Sequence, residues 1–144
     1  MFRRQTKPGF TLIEVLVVVA LVAILAAITF IAINPAKNFA DARNAQRSSD
    51  VAEILSAVTQ YTATQGNTVA GLGTIATCPA VSSIGTGGTD LSTTLVDTYI
   101  VGIPTDPSVG TAAVTGYNIC KTVTGRVTVA APNAENGKTI TVKR

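Results

Sequence analysis

Residues 10–33 run for 24 positions with a single charge, Glu14, and are otherwise almost entirely Leu, Ile, Val, Ala and Phe. At a rise of 1.5 Å per residue such a helix measures about 36 Å, against a bilayer hydrocarbon core of about 30 Å, so it can span a membrane with room for tilt. Arg3, Arg4 and Lys7 precede the run. The positive-inside rule keeps them cytoplasmic and places everything after residue 33 on the outer side. A cleaved secretory signal has the same outline, but this run exceeds the about 7–15 residues of such a signal and contains no Ala-x-Ala site. Glu14 needs its own explanation. An acidic residue at a helix centre costs roughly 2.5–3.5 kcal/mol on insertion, less near the interface, so a carboxylate there requires a partner or a purpose.

The run also explains much of the composition, which is 47% hydrophobic and only 13% charged. There is no histidine. That excludes Ser-His-Asp and Cys-His catalysis, HExxH zinc sites and imidazole pH switches, each of which needs that ring. The two cysteines, Cys78 and Cys120, cannot build a four-thiolate zinc site. With no paired carboxylates in a recognisable motif either, an enzyme is disfavoured and no cofactor is implied.

The segment Lys7-Pro8-Gly9-Phe10-Thr11-Leu12-Ile13-Glu14-Val15-Leu16 resembles the class III signal of bacterial type IV pilins and type II secretion pseudopilins. The resemblance implies cleavage by a prepilin peptidase between Gly9 and Phe10, and N-methylation of the exposed Phe10. It further implies that Glu14 meets the amino group at the start of a neighbouring subunit. This accounts for the charge physically, because a carboxylate that is costly alone in lipid is tolerated beside an ammonium from the next protomer. Gly9 also suits a protease that must draw the backbone close, having no side chain. Loss of residues 1–9 would remove Arg3, Arg4 and Lys7 and leave 8 basic against 8 acidic residues. The formal +3 is then a topology and processing signal, and it does not point to nucleic acid as a main partner. Within the span, Ala20, Ala23 and Ala27 make a small-residue stripe that would let helices approach, or simply reflect an Ala-rich composition.

Asn34-Pro35 closes the apolar run, and Pro35 predicts a kink or local break, after which the helix resumes. Val51, Ile54, Leu55, Val58 and Tyr61 recur at three and four residue intervals, giving an amphipathic face for residues 34–65. The charged positions between Asp41 and Glu53 read as a solvated or subunit-facing surface, with Arg47 and Asp50 as a local i, i+3 pair. The family's filaments often melt the helix near a breaker such as Pro35.

Residues 66–97 are rich in Thr and Gly and read as a connecting region, part of which must be tied down. Strand candidates follow at 99–103, 117–123, 126–131 and 139–142, the last two with clear alternation and Asn136-Gly137 between them. The expected fold is therefore α+β: a long N-terminal helix, membrane-spanning in its first half and amphipathic in its second, packed on a C-terminal antiparallel sheet of 3–4 strands in residues 98–144.

Cys78 and Cys120 fall on the translocated side, where disulfides persist. Pairing them would close a loop of about 43 residues and stabilise by roughly 4 kcal/mol in the chain-entropy picture; two buried free thiols are the alternative. The stretch Ile103-Pro104-Thr105-Asp106-Pro107, followed by Gly116-Tyr117, resembles the Pro-x-Asp-Pro and Tyr-bearing segment of major pseudopilins, some of which bind calcium nearby. Here the usual tryptophan is missing, and Asp97 and Asp106 alone are weak calcium candidates for an ion wanting six to eight oxygens. Asp106 reads better as a turn residue between its prolines.

The function expected is that of a structural subunit: a pilin held in the inner membrane with its N-terminus cytoplasmic, then polymerised into a type IV pilus or related surface filament for adhesion, motility or DNA uptake. Its implied partners are further copies of itself, possibly minor pilins, the prepilin peptidase, the pilus or secretion assembly machinery and the inner membrane. A pseudopilin of a type II secretion system is the nearest alternative. A membrane-anchored surface-binding module is the alternative of a different class, but a basic stripe with interleaved aromatics is lacking.

Overall fold

The computed structural model of the chain describes residues 9–144. Arg3, Arg4 and Lys7 lie outside the described residues. The chain divides into two compact units, Met1–Asn38 and Phe39–Arg144.

The first unit is built on helix α1, Leu12–Ile33, whose residues are all exposed within the chain. It is the one helix among the described residues that is long and apolar enough to cross a membrane. Thr11 caps its start: the Thr11 hydroxyl accepts from the Glu14 N–H, and the Glu14 carboxylate accepts from the Thr11 N–H, both at 3.3 Å. This reciprocal capping box satisfies two of the backbone donors that a helix leaves open at its first turn. The helix ends because Asn34 enters the left-handed region at φ 43°. The Asn34 side chain then accepts from the Lys37 N–H, and the Asn38 amide donates to the Ile33 carbonyl at 3.0 Å. Pro35 is the first residue of helix α2, Pro35–Ala63. A proline suits that position, since its missing N–H would have had no helical partner.

The second unit is α+β. The buried face of α2 packs on a four-stranded antiparallel sheet: β1 Ser82–Ser83, β2 Asn118–Lys121, β3 Val127–Ala131 and β4 Ile140–Lys143, in that spatial order. Registers such as Ile119 opposite Val129 and Ala131 opposite Ile140 line the inner face with the apolar residues of the alternating pattern. These meet Val51, Ile54, Leu55, Ala57 and Val58 of α2 in one core, joined by Leu72, Ile75, Ile84, Leu91 and Leu95 from the connecting region. That region is therefore not loose. It contains a 3-10 turn at Val69–Leu72, the strand β1 and a one-turn helix α3 at Ser92–Leu95.

The fourth strand is not where the sequence placed it. Residues 99–103 form no strand: Asp97 takes φ 68° and turns the chain back, so that the Tyr99 and Ile100 N–H groups both donate to the Leu95 carbonyl. Ile100 enters the core from this wrap around α3. Ser82–Ser83 supplies the edge instead, opposite Ile119 and Asn118. A disulfide joins Cys78 to Cys120 of β2, with the Cα atoms 5.3 Å apart. Backbone bonds from Cys78 to the Lys121 carbonyl and from Lys121 to the Ala76 carbonyl, both 2.9 Å, reinforce the same attachment.

Candidate functional site

Two places hold polar chemistry in a setting that must account for it. The first is the start of α1. Gly9, Phe10 and Thr11 precede the helix in non-helical backbone, and Phe10 is 85% exposed. Among the described residues, a side chain at Gly9 would meet nothing within 4 Å, so they make no steric demand for glycine there. Glu14 is exposed, and the hydrogen bonds it makes run to Thr11. The Thr-x-x-Glu spacing was readable as a capping box from the sequence, and it gives Glu14 a local role that the argument from membrane cost alone overlooked.

Residues 4–30 match the family model for the prokaryotic N-terminal methylation motif. The amino-terminal segment is that of a type IV prepilin or pseudopilin. The match covers the basic approach, Gly9, Phe10, Glu14 and most of α1. It thus joins the processing signal of a prepilin to a helix suited to inner-membrane anchoring. No curated protein matches the chain, and no solved structure does. The globular unit is consequently understood from its own geometry.

The second place is a buried polar clamp in that unit. Asn44, Arg47 and Asp50 lie on the inward face of α2, at 2%, 0% and 2% exposure. The expectation that the charges between Asp41 and Glu53 form a solvated surface is therefore wrong for these residues, as is the local Arg47–Asp50 pairing. Arg47 instead donates from Nε to Asp106 Oδ2 at 2.7 Å and from Nη2 to Asp106 Oδ1 at 3.1 Å, with both side chains fully buried. Its remaining donors reach Ser108 Oγ at 2.7 Å and Asn44 Oδ1 at 3.1 Å. Asn44 in turn brackets the β3–β4 connection, donating to the Glu135 carbonyl and accepting from the Glu135 N–H, each at 2.9 Å. Asp50 accepts from the Tyr117 hydroxyl at 2.5 Å and from Gln46 at 2.7 Å. No buried side-chain nitrogen or oxygen among the described residues lacks a partner, as a buried charge network requires if it is not to be a net liability.

The electrostatics follow the geometry. Burial by itself pushes the Asp106 carboxyl up, but hydrogen bonds from Arg47 and Ser108, aided by the guanidinium charge, outweigh it and hold the group well below the usual carboxylate range. The same hydrogen bond raises Arg47 against the opposing effect of its burial. Burial, then the bond to Asp50, lifts the Tyr117 phenol far above its ordinary value. Gly116 makes room for the clamp, since at φ 85° a Cβ there would sit 2.6 Å from Asp106 Cβ. The Pro-x-Asp-Pro and Gly-Tyr segments thus converge on α2, and Asp106 spends both carboxylate oxygens inside the protein. Asp97 is exposed beyond α3. Among the described residues no group of three or more acidic or cysteine side chains is placed to hold a metal ion.

Proposed function

We propose that the chain is a structural filament subunit, a pilin processed between Gly9 and Phe10 and polymerised through α1 into a type IV pilus or related surface filament. The observation that carries this reading is α1 itself: a 22-residue apolar helix with no buried residue, headed by a methylation motif. An apolar helix exposed on all sides is stable in lipid or among other helices, and a prepilin passes from the first to the second. In this reading Phe10 becomes the N-methylated terminus, and Glu14 exchanges its capping contacts for the amino group of the next subunit. Pro35 marks where the helix yields in the filament, and the Cys78–Cys120 link keeps the exported unit intact. The partners are then further copies of the chain, the prepilin peptidase, the assembly machinery and the inner membrane.

A pseudopilin of a type II secretion system is the second reading, favoured by one observation, the engagement of the Pro-x-Asp-Pro segment at Asp106 with α2. Electron microscopy and mass spectrometry of material sheared from cells test both. Filaments whose subunit begins at methylated Phe10 support the pilus; subunits with the same terminus confined to the membrane support the pseudopilus; an uncut chain overturns both.

A further inference from the structure

A cavity of about 270 Å³ opens in the globular unit, walled by Ile84, Leu91, Ile103 and Ala112. Its walls are preformed: Ile84 and Leu91 belong to the core at 0% and 1% exposure, and Ile84 is pinned by backbone bonds with Tyr117 and Thr115, both 2.9 Å. Among the described residues, Asp90 is the one charged residue lining it. Its Oδ1 accepts from the Ser92 N–H and hydroxyl, and among the described residues it has no cationic partner. The volume lies below the about 300–1,000 Å³ usual for small-molecule sites, which suits a single protruding side chain better than a cofactor.

The same chain carries such a side chain. The β2–β3 turn, residues 122–126, holds Val123 94% exposed at its tip. The turn is rigid: Thr122 N–H donates to the Arg126 carbonyl at 2.7 Å, Gly125 N–H to the Thr122 carbonyl at 2.9 Å, and Arg126 N–H to the Thr122 hydroxyl at 3.0 Å. An apolar knob held this firmly loses little entropy on docking. Beside it stands Arg126, exposed and without an acidic partner among the described residues. Val101 is equally exposed, but residues 97–107 around it carry Asp97 and Asp106 and no basic residue, the wrong sign for a cavity edged by Asp90.

We propose that this cavity receives the β2–β3 turn of a second copy of the chain, Val123 entering the apolar interior and Arg126 facing Asp90. Knob and hole are formed by different residues of one chain. Where each copy's knob fills the next copy's hole without reciprocation the contact is head to tail, and such a contact, if it does not close into a ring, propagates as a helical polymer. The inference rests on the filament reading and assigns part of its subunit interface outside α1.

The test is the yield of sheared filaments, counted by electron microscopy, from full-length variants. Arg126→Glu, which sets a carboxylate against Asp90, is expected to lower yield by about tenfold or more, and Val123→Asp by at least as much. Asp90→Asn keeps the acceptor for Ser92 while removing the charge, and in the Arg126→Glu background it is expected to recover most of the loss. Val123 and Arg126 are solvent-exposed, so unchanged thermal unfolding of the variants separates lost docking from lost folding. Wild-type yield from both Val123→Asp and Arg126→Glu, or no recovery in the double variant, overturns the interface and leaves the filament reading standing. Absence of filaments from the wild-type chain overturns that reading and the interface with it.

Discussion

Glu14 and Asp106 are both carboxylates placed where water is scarce or would be excluded, yet the chain treats them in opposite ways. Asp106 is fully buried and fully answered from within, by Arg47, Ser108 and the backbone of Ser108 and Val109. Glu14 stands at the head of an apolar helix, and among the described residues its hydrogen bonds run to the neutral Thr11. A charge paired inside its own fold contributes to the stability of one molecule. A charge left with neutral partners in an apolar surrounding gives its stabilisation to whatever brings the missing cation. On the proposed filament reading, the contrast separates a monomer-stabilising region from one that serves assembly within a single chain.

The largest effect expected of any substitution follows from that difference. Glu14→Ala should abolish or disorder filaments while leaving insertion and the globular unit's thermal unfolding unchanged; filament counts beside the melting temperature of the detergent-solubilised protein check it. Wild-type filament yield would end the argument that Glu14 serves assembly. Arg47→Met should reverse the pattern in origin. It strands a buried carboxylate, and losing one partner of a buried pair costs about 3–5 kcal/mol, so the unfolding midpoint in denaturant should fall sharply. The double variant Arg47→Met with Asp106→Leu should regain much of the loss, because an apolar pair can replace a buried ion pair of similar volume.

The start of α1 was legible in the sequence because its chemistry is local: Gly9, Phe10, Thr11, Glu14 and the apolar run need no folded context to be recognised. The core was legible for a related reason, as Val127, Val129 and Ala131 alternate and Val51, Ile54 and Val58 keep helical spacing. The clamp was not. Asn44 and Arg47 continue the same three and four residue spacing as Val51, Ile54 and Val58, so their positions placed them on the inward stripe while their polarity argued for solvent. What tips the balance is a partner 59 residues away for Arg47 and one 91 residues away for Asn44, and no local pattern announces either. β1 escaped notice because two serines carry no periodicity at all. Residues 99–103 misled for the opposite reason, being β-rich in composition yet folded back by Asp97.

Titration offers a smaller, continuous way to weigh the clamp. Asp106 is held below its unfolded value, so its share of stability is present above about pH 4 and is lost as pH falls from there toward the folded value. Asp106→Asn should flatten the acid limb of a stability profile without moving the alkaline one. Tyr117 is raised, so its share is present below about pH 10 and is lost as pH rises beyond that. Tyr117→Phe should flatten the alkaline limb instead, at a cost near neutrality of about 1.5–3 kcal/mol, typical of a lost hydrogen bond to a charged group.

The smallest effect decides what Glu14 does. In the single chain it caps α1, and a capping role predicts that any substitution preserving an acceptor at that position preserves function. Glu14→Gln keeps the acceptor, since glutamine serves the capping box as well as glutamate does, but removes the charge. Thr11→Val keeps the charge and removes the cap, at a local cost of about 1 kcal/mol readable as faster amide exchange in the first turn in detergent micelles. If the carboxylate awaits a cation from a neighbour, Thr11→Val should still build filaments and Glu14→Gln should not. The opposite result would make Glu14 a helix cap like any other and move the burden of assembly onto the apolar face of α1 and the contacts of the globular unit.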